Sequence, residues 1–509
     1  MFYEAEGFGG PYLGRFHRLP RLIAVLRLGD RFMARGIWPL WTAAVKVVLL
    51  AAMTSGLVHA QGLPNYQYMD PAYLVATEKS PQPVQTHDDA LAQRVAELEK
   101  ALGTLQAKEE AAAKKAASKM SVNVSGRILL DSVFFGQSDG SIARFGDADD
   151  TTQFRQARLA VSGEGFDIFT YKLEVDFASR DKLEVDFASR DRNGDQQTNF
   201  KDAYLGIKDL PWLGYVQIGH FKEPFGLELL TSVRNLTFME RANLEAILPG
   251  RNVGIAAYQV SENERMTFAF GGFRTIGEGP PYIADDDGGY SFTARVTYLP
   301  WYDEATQGRG LLHLGLGYSF RDVDDPSQRI RVRPEVNVGP YVINTGFFGD
   351  VENYQLLGPE IAFLYGPFSV QSEYVVAFYN RGGADDPAFH GAYVQTSYFL
   401  TGENRVYDRK KGVFERVKPF ENFFRVRTCD GNVETGWGAW ELAYRYSWLD
   451  LDDAGVWGGT TADHTFGINW YWNPYMRMMF NYVHAQVSPP NNQPNADLNV
   501  FQVRAQVDF

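Results

Sequence analysis

The 509-residue sequence predicts an all-β protein, a transmembrane antiparallel β-barrel of about 16 strands, preceded by a short periplasmic α-helical segment. Three observations predict this fold. Apolar and polar residues alternate along many segments, and the connections between these segments are short and long in turn. Aromatic residues make up 14% of the chain, although its mean hydropathy is only −0.28. Strands with one face in lipid and the other in water show this combination.

The first element is an export signal. The apolar run 47–58 follows Lys46, and small residues offer a cleavage site after Ala60. This run of twelve residues is too short to span a bilayer as a helix. We therefore assign residues 1–60 to a signal peptide with a long leader; a translation start at Met33 is the alternative.

A polar linker and a helical segment follow. Residues 61–89 are rich in Pro, Gln, Asp and Tyr, which is typical of an extended linker. The segment 90–120 then shows apolar residues with heptad spacing. These residues are Leu91, Val95, Leu98, Leu102 and Leu105. Fewer than three clean heptads predict a weak coiled coil that assists an assembly held elsewhere, with a lone amphipathic helix as the alternative.

From residue 121 to residue 509 the period changes to two, and this stretch forms the predicted barrel domain. In the final segment, "VFQVRAQVDF", Phe501, Val503 and Val507 alternate with polar residues. Because a closed barrel has no free edge, we expect this last strand to pair with the first one. The sixteen predicted segments are 121–136, 152–163, 168–178, 200–208, 214–221, 252–260, 265–274, 289–299, 310–321, 353–366, 367–380, 389–400, 435–448, 463–472, 476–486 and 498–509.

The connections between these segments test the prediction. Short ones at 164–167, 209–213 and 473–475 alternate with long ones, as in outer-membrane barrels with periplasmic turns and external loops. Two connections break the rule. Residues 300–309 are moderately long, and 401–434 is far too long for a periplasmic turn. The second one predicts either a missed hairpin or an excursion.

Five stretches of the barrel domain resemble one family, the phosphate-selective porin O and P family. They are "GHFKEPFGLELLTSVRNLTFMERANLEAILPGRNVGI" (219–255), "FRQARLAVSGE" (154–164), "SYFLTGENRVY" (397–407), "GAWELAYRYSWLDL" (438–451) and "INWYWNPYMRMMFNYVHA" (468–485). The resemblance implies a sixteen-stranded trimeric porin in the outer membrane of a Gram-negative-type bacterium. It also implies a third loop folded into the lumen, lumenal arginines and lysines that bind and pass anions, and in some members a periplasmic coiled coil.

The charge balance limits the partners. Residues 61–509 carry 42 Lys/Arg and 59 Asp/Glu, a net charge of −17, which excludes nucleic acid as the obvious partner. The expected partners are small anions or other small hydrophilic solutes, outer-membrane lipids and further copies of the chain in a homotrimer.

The pore lining follows from strand parity. Inward positions hold both signs of charge, and so does the third loop, 222–251. The inward basic residues are Arg127, Arg158, Arg295, Arg445, Arg477 and Arg504; the inward acidic ones are Asp131, Glu174, Asp176, Asp202, Glu373 and Glu441; the loop adds Lys222, Arg234, Arg241 and Arg251 and Glu223, Glu228, Glu240 and Glu245. Such a lining either separates a basic from an acidic wall or forms a polar wall of cross-strand ion pairs. The predicted anion-binding residues are Arg127, Arg158, Lys222, Arg234, Arg241 and Arg251.

The sequence predicts no enzyme, no cofactor and no metal site. No HExxH, GxSxG or P-loop spacing occurs. The run from Asp191 to Asp202 has part of a calcium-loop spacing, but Gln196 stands where an EF-hand needs Gly. The predicted function is passive diffusion of small hydrophilic solutes, with anions including phosphate first. A general or cation-preferring porin and a structural or adhesive barrel with a plugged pore are the alternatives.

Overall fold

The computed structural model describes residues 97–100, 102–104, 120–178, 199–275, 289–323, 325–427, 431–490 and 494–509. In this part of the chain sixteen antiparallel strands form one closed barrel, which confirms the predicted fold. Of the predicted helical segment 90–120, residues 97–100 and 102–104 are described and helical, and Met120 is described and not helical. The signal peptide, the linker and the rest of that segment lie outside the described residues.

Sixteen long strands build the barrel, and shorter elements lie in its connections. The barrel strands are β1 (Asn123–Gln137), β2 (Thr151–Gly165), β3 (Phe169–Asp176), β4 (Asn199–Leu210), β5 (Gly214–Lys222), β6 (Arg251–Val260), β7 (Met266–Arg274), β8 (Tyr290–Tyr302), β9 (Gly310–Asp322), β12 (Val351–Tyr365), β13 (Phe368–Arg381), β14 (Ala388–Phe399), β19 (Ala439–Asp453), β20 (Val456–Asn473), β21 (Met476–Ser488) and β22 (Ala496–Asp508). The connections hold β10 (Arg331–Val332), β11 (Ile343–Asn344), β15 (Val406–Asp408), β16 (Val413–Glu415), β17 (Val426–Arg427), β18 (Val433–Glu434), the helices α1 (Asp139–Phe145) and α2 (Leu227–Leu230), and 3-10 turns at Val233–Asn235 and Asn243–Ile247.

The two faces of the strands differ as the alternation predicts. In β8 the polar residues Ser291, Thr293 and Arg295 are buried inside the barrel, whereas Phe292 and Tyr298 are exposed on its outer wall. An outer wall of apolar residues suits hydrocarbon, and the hydrogen-bonded closure leaves no strand edge in the lipid.

The barrel closes through its last strand, as predicted. β22 pairs with β1 from Arg127↔Asp508 to Gln137↔Leu498. The backbones of Gly126 and Phe509 continue this pairing with N–H to O distances of 2.9 and 3.0 Å. A Cβ atom at Gly126 would lie 2.5 Å from the Phe509 ring, so the glycine leaves room for the terminal aromatic side chain.

The short turns lie at one end of the barrel, where β1 begins and β22 ends. By the predicted topology this is the periplasmic end. The turns are 166–168, 211–213, 261–265, 303–309, 366–367 and 474–475. At the other end, the connection 454–455 is much shorter than the expected loop 449–462. β20 begins at Val456 rather than at residue 463. A register shift near Asp452 allows the segment 456–462, which contains "GGTT", to pair with β19. Among the described residues, no helix has the length and apolar character needed to cross a membrane.

The long connection 400–438 is an excursion from the periplasmic end and adds no hairpin to the barrel. Its first half carries the small sheet β15–β16 and lies in the lumen, where Tyr407 and Phe414 are buried. Its second half lies against the outer wall, where the Phe423 ring packs 4.6 Å from Trp470 and 5.8 Å from Trp472. We call the first half, residues 403–417, the lumenal insert.

Candidate functional site

The connection 223–250, called loop 3 below, crosses the lumen from β5 to the far wall. There the carboxylate of Glu373 accepts hydrogen bonds from the backbone N–H groups of Leu227 (2.8 Å) and Glu228 (2.7 Å), at the start of α2. Gly226 precedes this helix with φ +72°, and a Cβ atom there would lie 2.9 Å from a Glu373 oxygen. Glycine is therefore required where the loop backbone meets the carboxylate.

Three wall arginines hold the backbone of loop 3. Arg477 donates to the carbonyl of Leu236 (2.8 Å), and Arg504 donates to that of Met239 (2.5 Å). Arg445 donates to the carbonyl of Glu240 (2.9 Å). These arginines, predicted only as inward-facing charges, thus fix the loop that narrows the lumen.

Arg445 joins two loops to the wall. Its guanidinium pairs with Glu228 of loop 3 at 3.0 Å and with Glu335 of the connection 323–350, called loop 5 below, at 2.5 Å. Its side chain is fully buried. Burial raises the pKa of Glu228, and the positive charge of Arg445 opposes that rise. Removing the arginine would leave two buried carboxylates without a cation.

Glu240 forms a second junction between loop 3 and the wall. Arg155 lies 3.0 Å from this carboxylate and Arg504 lies 2.7 Å from it. Burial favours the neutral acid, but the two arginines outweigh this effect and hold the pKa of Glu240 at about 2. Glu240 is therefore ionised at neutral pH and neutralises two nearby cations.

One side of the lumen is filled by apolar packing. Residues of loop 3 and loop 5 pack against the inner wall of β12–β14 and β19–β22 in one buried cluster. Its loop members are Phe225, Ala242, Leu244, Ile247, Ile330, Val332, Val336, Val342, Ile343 and Phe348. This packing covers the inner wall of the later strands.

The lumenal insert reaches this region from the periplasmic end. The Tyr407 hydroxyl and His313 Nδ1 are hydrogen-bonded at 2.6 Å, and Arg295 donates to the carbonyl of Gly412 at 2.9 Å. Asn235 of loop 3 donates to the carbonyl of Phe414 at 3.5 Å. Loop 3 and the insert therefore meet inside the barrel.

The six predicted anion-binding residues lie in one region, on β1, β2, β5, β6 and loop 3. The charges of Arg158, Arg234 and Arg251 all act on Arg127, and those of Arg241 and Arg251 act on Lys222. Strand parity predicted that Arg127 and Arg158 lie on the inner face, and both side chains are inward and buried. The remaining four lie on loop 3 or at its two ends.

Sequence reasoning missed one member of this group, Lys172 of β3. It lies 2.7 Å from Glu174 and 2.5 Å from Asp202. The signal was present, because Lys172 and Glu174 alternate with apolar residues in the quoted strand pattern and so share a face. We call the seven residues the basic cluster: Arg127, Arg158, Lys172, Lys222, Arg234, Arg241 and Arg251.

Acidic residues lie between these cations. Glu174 bridges Arg127 (3.0 Å), Arg158 (3.1 Å) and Lys172, and Asp202 bridges Lys172 and Arg251 (2.8 Å). Within the described residues, the seven basic groups of the cluster form ion pairs with five acidic residues, so the basic groups are in excess there. The five are Glu174, Asp176, Asp202, Glu245 and Asp508.

The opposite balance holds on the later strands. β12, β13, β19 and β20 carry the buried carboxylates Glu360, Glu373, Glu441 and Asp463, with Arg445 among them. The lumen therefore combines the two arrangements that the sequence left open. Ion pairs link neighbouring strands. In addition, basic groups are in excess in the basic cluster, and acidic groups are in excess on β12, β13, β19 and β20.

Comparison with known proteins identifies the family. The family model for phosphate-selective porin O and P matches residues 122–509. The chain belongs to this family. It is thus an outer-membrane porin of the Gram-negative type, a channel through which small hydrophilic solutes diffuse passively.

Several known proteins are similar to this porin. Porin O of Pseudomonas aeruginosa is 27% identical over 434 residues, which cover 77% of this porin and 89% of that protein. An uncharacterised protein of Caulobacter vibrioides is 28% identical over 329 residues, 62% of this chain and 63% of its own length. Among solved structures, the anion-selective porin from Comamonas acidovorans and the outer membrane channel DcaP of Acinetobacter baumannii both match with a TM-score of 0.46 and 12% identity. Each match covers 77% of this porin, and 100% and 97% of the other chain.

In the part of the porin that the structure describes, no three His, Cys, Asp or Glu side chains converge into a group that could hold a metal ion. Asp202, the last residue of the calcium-loop spacing, pairs with Lys172 and Arg251 instead. Asp191 and Gln196 lie outside the described residues.

Proposed function

We propose that this porin passes anions, including phosphate, along the basic cluster, and that it catalyses no reaction. The proposed anion-binding residues are Arg127, Arg158, Lys222, Arg234, Arg241 and Arg251. The excess of basic over acidic groups in the basic cluster carries the proposal, because the charge that lines a constriction sets the sign of the ions that pass. The names of the family and of the relative from Comamonas acidovorans support the same preference.

The packing of the lumen supports the position of the path. Loop 3 and loop 5 pack on the side of β12–β14 and β19–β22, and the lumenal insert packs on β8, β9 and β12. An anion that crosses the barrel would then pass the inner wall of β1–β6, where the basic cluster lies. Because protein walls lower the local dielectric constant, an excess charge acts more strongly there than in open water.

The zero-current potential of the purified porin in a planar bilayer tests the proposal. Under a tenfold KCl gradient we expect a potential on the anion side, within a limit of about 59 mV, and a conductance that phosphate blocks. A cation-side potential without block would support the cation-preferring alternative, which the carboxylates of β12, β13, β19 and β20 favour. Absence of conductance would support a plugged barrel, which the filled side of the lumen favours.

We also propose that the porin is a homotrimer in a lipid bilayer, in which the helical segment 90–120 assists assembly. Deleting residues 90–119 is expected to weaken the trimer without abolishing it, because the barrel walls would supply most of the contact. Molar mass of the detergent complex, measured by light scattering over a range of concentrations, checks this. A fully monomeric deletion variant would contradict the accessory role of the segment.

A further inference from the structure

Five aromatic side chains lie side by side on the inner wall of β4–β7. The ring centroids of Phe221 are 6.1 Å from Tyr204 and 5.6 Å from Phe273, and those of Tyr215 and Tyr258 are 5.9 Å apart. Strand pairing fixes their direction, since Tyr204 lies opposite the inward Lys172. We call these five residues the aromatic row. Neither ion conduction nor the basic cluster accounts for it.

Inward glycines let two of these rings lie close to the wall. A Cβ atom at Gly206 would lie 2.3 Å from the Tyr215 hydroxyl and 2.5 Å from its Cε2 atom. A Cβ atom at Gly254 would lie 2.4 Å from Cδ1 of Phe273. A ring that rests against backbone can turn its other face to the lumen, and an aromatic face is a surface on which another flat apolar group stacks.

The tyrosines of the row are the members that a solute can reach. Phe221 and Phe273 are buried at 3% exposure and form the base of the row, whereas Tyr204, Tyr215 and Tyr258 are half-buried. Tyr215 and Tyr258 lie near the periplasmic turns, at the opposite ends of β5 and β6 from Lys222 and Arg251. The row therefore extends from the basic cluster toward the periplasmic mouth.

The contact between the two features is at Tyr204. Its cross-strand partner is Lys172, and Asp202 lies two residues before it in β4. Asp202 pairs with both Lys172 and Arg251 of the basic cluster. An anionic group held by these cations would place a substituent of a few atoms beside the Tyr204 ring. Inorganic phosphate has no such substituent.

From this arrangement we infer that the porin holds aromatic organic anions, such as aryl phosphates or aromatic carboxylates, more tightly than inorganic anions. This inference rests on the proposed function. The anionic group binds the basic cluster, and the ring stacks on Tyr204 and then on Tyr258. Stacking adds to the electrostatic attraction between the anionic group and the basic cluster. After the anionic group has left the basic cluster, stacking guides the ring along the wall.

The test compares block of the chloride current by phenyl phosphate and by inorganic phosphate. We expect half-block at an approximately 2- to 10-fold lower concentration of phenyl phosphate, the range that one aromatic stacking contact provides. In Tyr204→Leu the ratio should fall to about 1 and in Tyr258→Leu it should fall part of the way, while block by inorganic phosphate stays unchanged in both. Tyr204→Phe, which keeps the ring, should keep the ratio.

Controls separate stacking from size and from loss of the channel. Tyr298→Leu removes a tyrosine from the outer wall and should leave both blocks as they are. A ratio that survives in the two leucine variants would mean that the larger ion blocks by size alone, and it would overturn the inference. Equal half-block in the unmodified porin would overturn it too, with the proposed function intact. A channel that neither ion blocks would overturn the proposed function as well.

Discussion

Replacing Arg445 with methionine is expected to lower the free energy of unfolding by about 3–5 kcal/mol, the cost of removing one partner from a buried ion pair. Arg445 is fully buried and serves Glu228, Glu335 and the carbonyl of Glu240. Methionine fills a similar volume but leaves two carboxylates without a cation in a site that water reaches poorly. Equilibrium unfolding of the refolded porin in urea measures the change.

The same substitution should loosen the constriction. Since Arg445 fixes loop 3 and loop 5 to β19, its loss is expected to raise current noise and mean conductance in single-channel records. The penalty should shrink in acid. Burial raises the pKa of Glu228 and Arg445 opposes the rise, so without the arginine this pKa should lie further above the unfolded value of about 4.3. The destabilisation should therefore appear as pH rises through that range and disappear below it.

Two further variants show whether the effect is one of charge. Adding Glu228→Gln and Glu335→Gln to Arg445→Met removes the uncompensated carboxylates and should restore most of the stability. Arg425→Met replaces an exposed arginine outside the lumen and serves as the matched control. If Arg445→Met unfolded like the control, or if the glutamines restored nothing, the role of Arg445 as a junction would be wrong.

The fold was predictable because alternation is a local property. In β8 and β22, whether a residue is apolar or polar indicates whether it faces the lipid or the lumen. The number of alternating segments then gives the number of strands. The excursion 400–438 was not predictable in its course. Its short strands bury Tyr407 and Phe414 against loop 3 and the wall, contacts between residues about 100 to 180 positions apart that leave no periodic trace.

Sequence parity predicted which arginines face the lumen, but it did not predict what each of them contacts. Parity placed Arg127 and Arg158 on the inner face, but it treated Arg445, Arg477 and Arg504 as equivalent to them. The difference arises from loop 3, whose carbonyls accept hydrogen bonds from the latter three. Which arginine meets a loop carbonyl depends on how the loop crosses the lumen, and this is set by Glu373 on a distant strand.

Arg234 is the member of the basic cluster whose replacement should change conduction with the least damage to the fold. Its side chain is 32% exposed, and its guanidinium lies 3.7 Å from Asp508, at the far limit of an ion pair. Reversal of its charge in Arg234→Glu is expected to weaken phosphate block about tenfold, or about 1.4 kcal/mol, and to move the zero-current potential toward the cation side. The reason is that a carboxylate would then face the anion beside Arg127.

The comparison that isolates the site is Lys410→Glu, which reverses a more exposed charge (72% against 32%) in the turn of the lumenal insert, beside Glu264 of a periplasmic turn. Salt screens such a charge over about 10 Å at 0.1 M, so this variant should leave the potential and the block nearly unchanged. Arg234→Gln should fall between Arg234→Glu and the unmodified porin, because it removes the cation without adding an anion. If both reversals shifted the potential equally, the net charge of the mouth would set the selectivity, and the basic cluster would not.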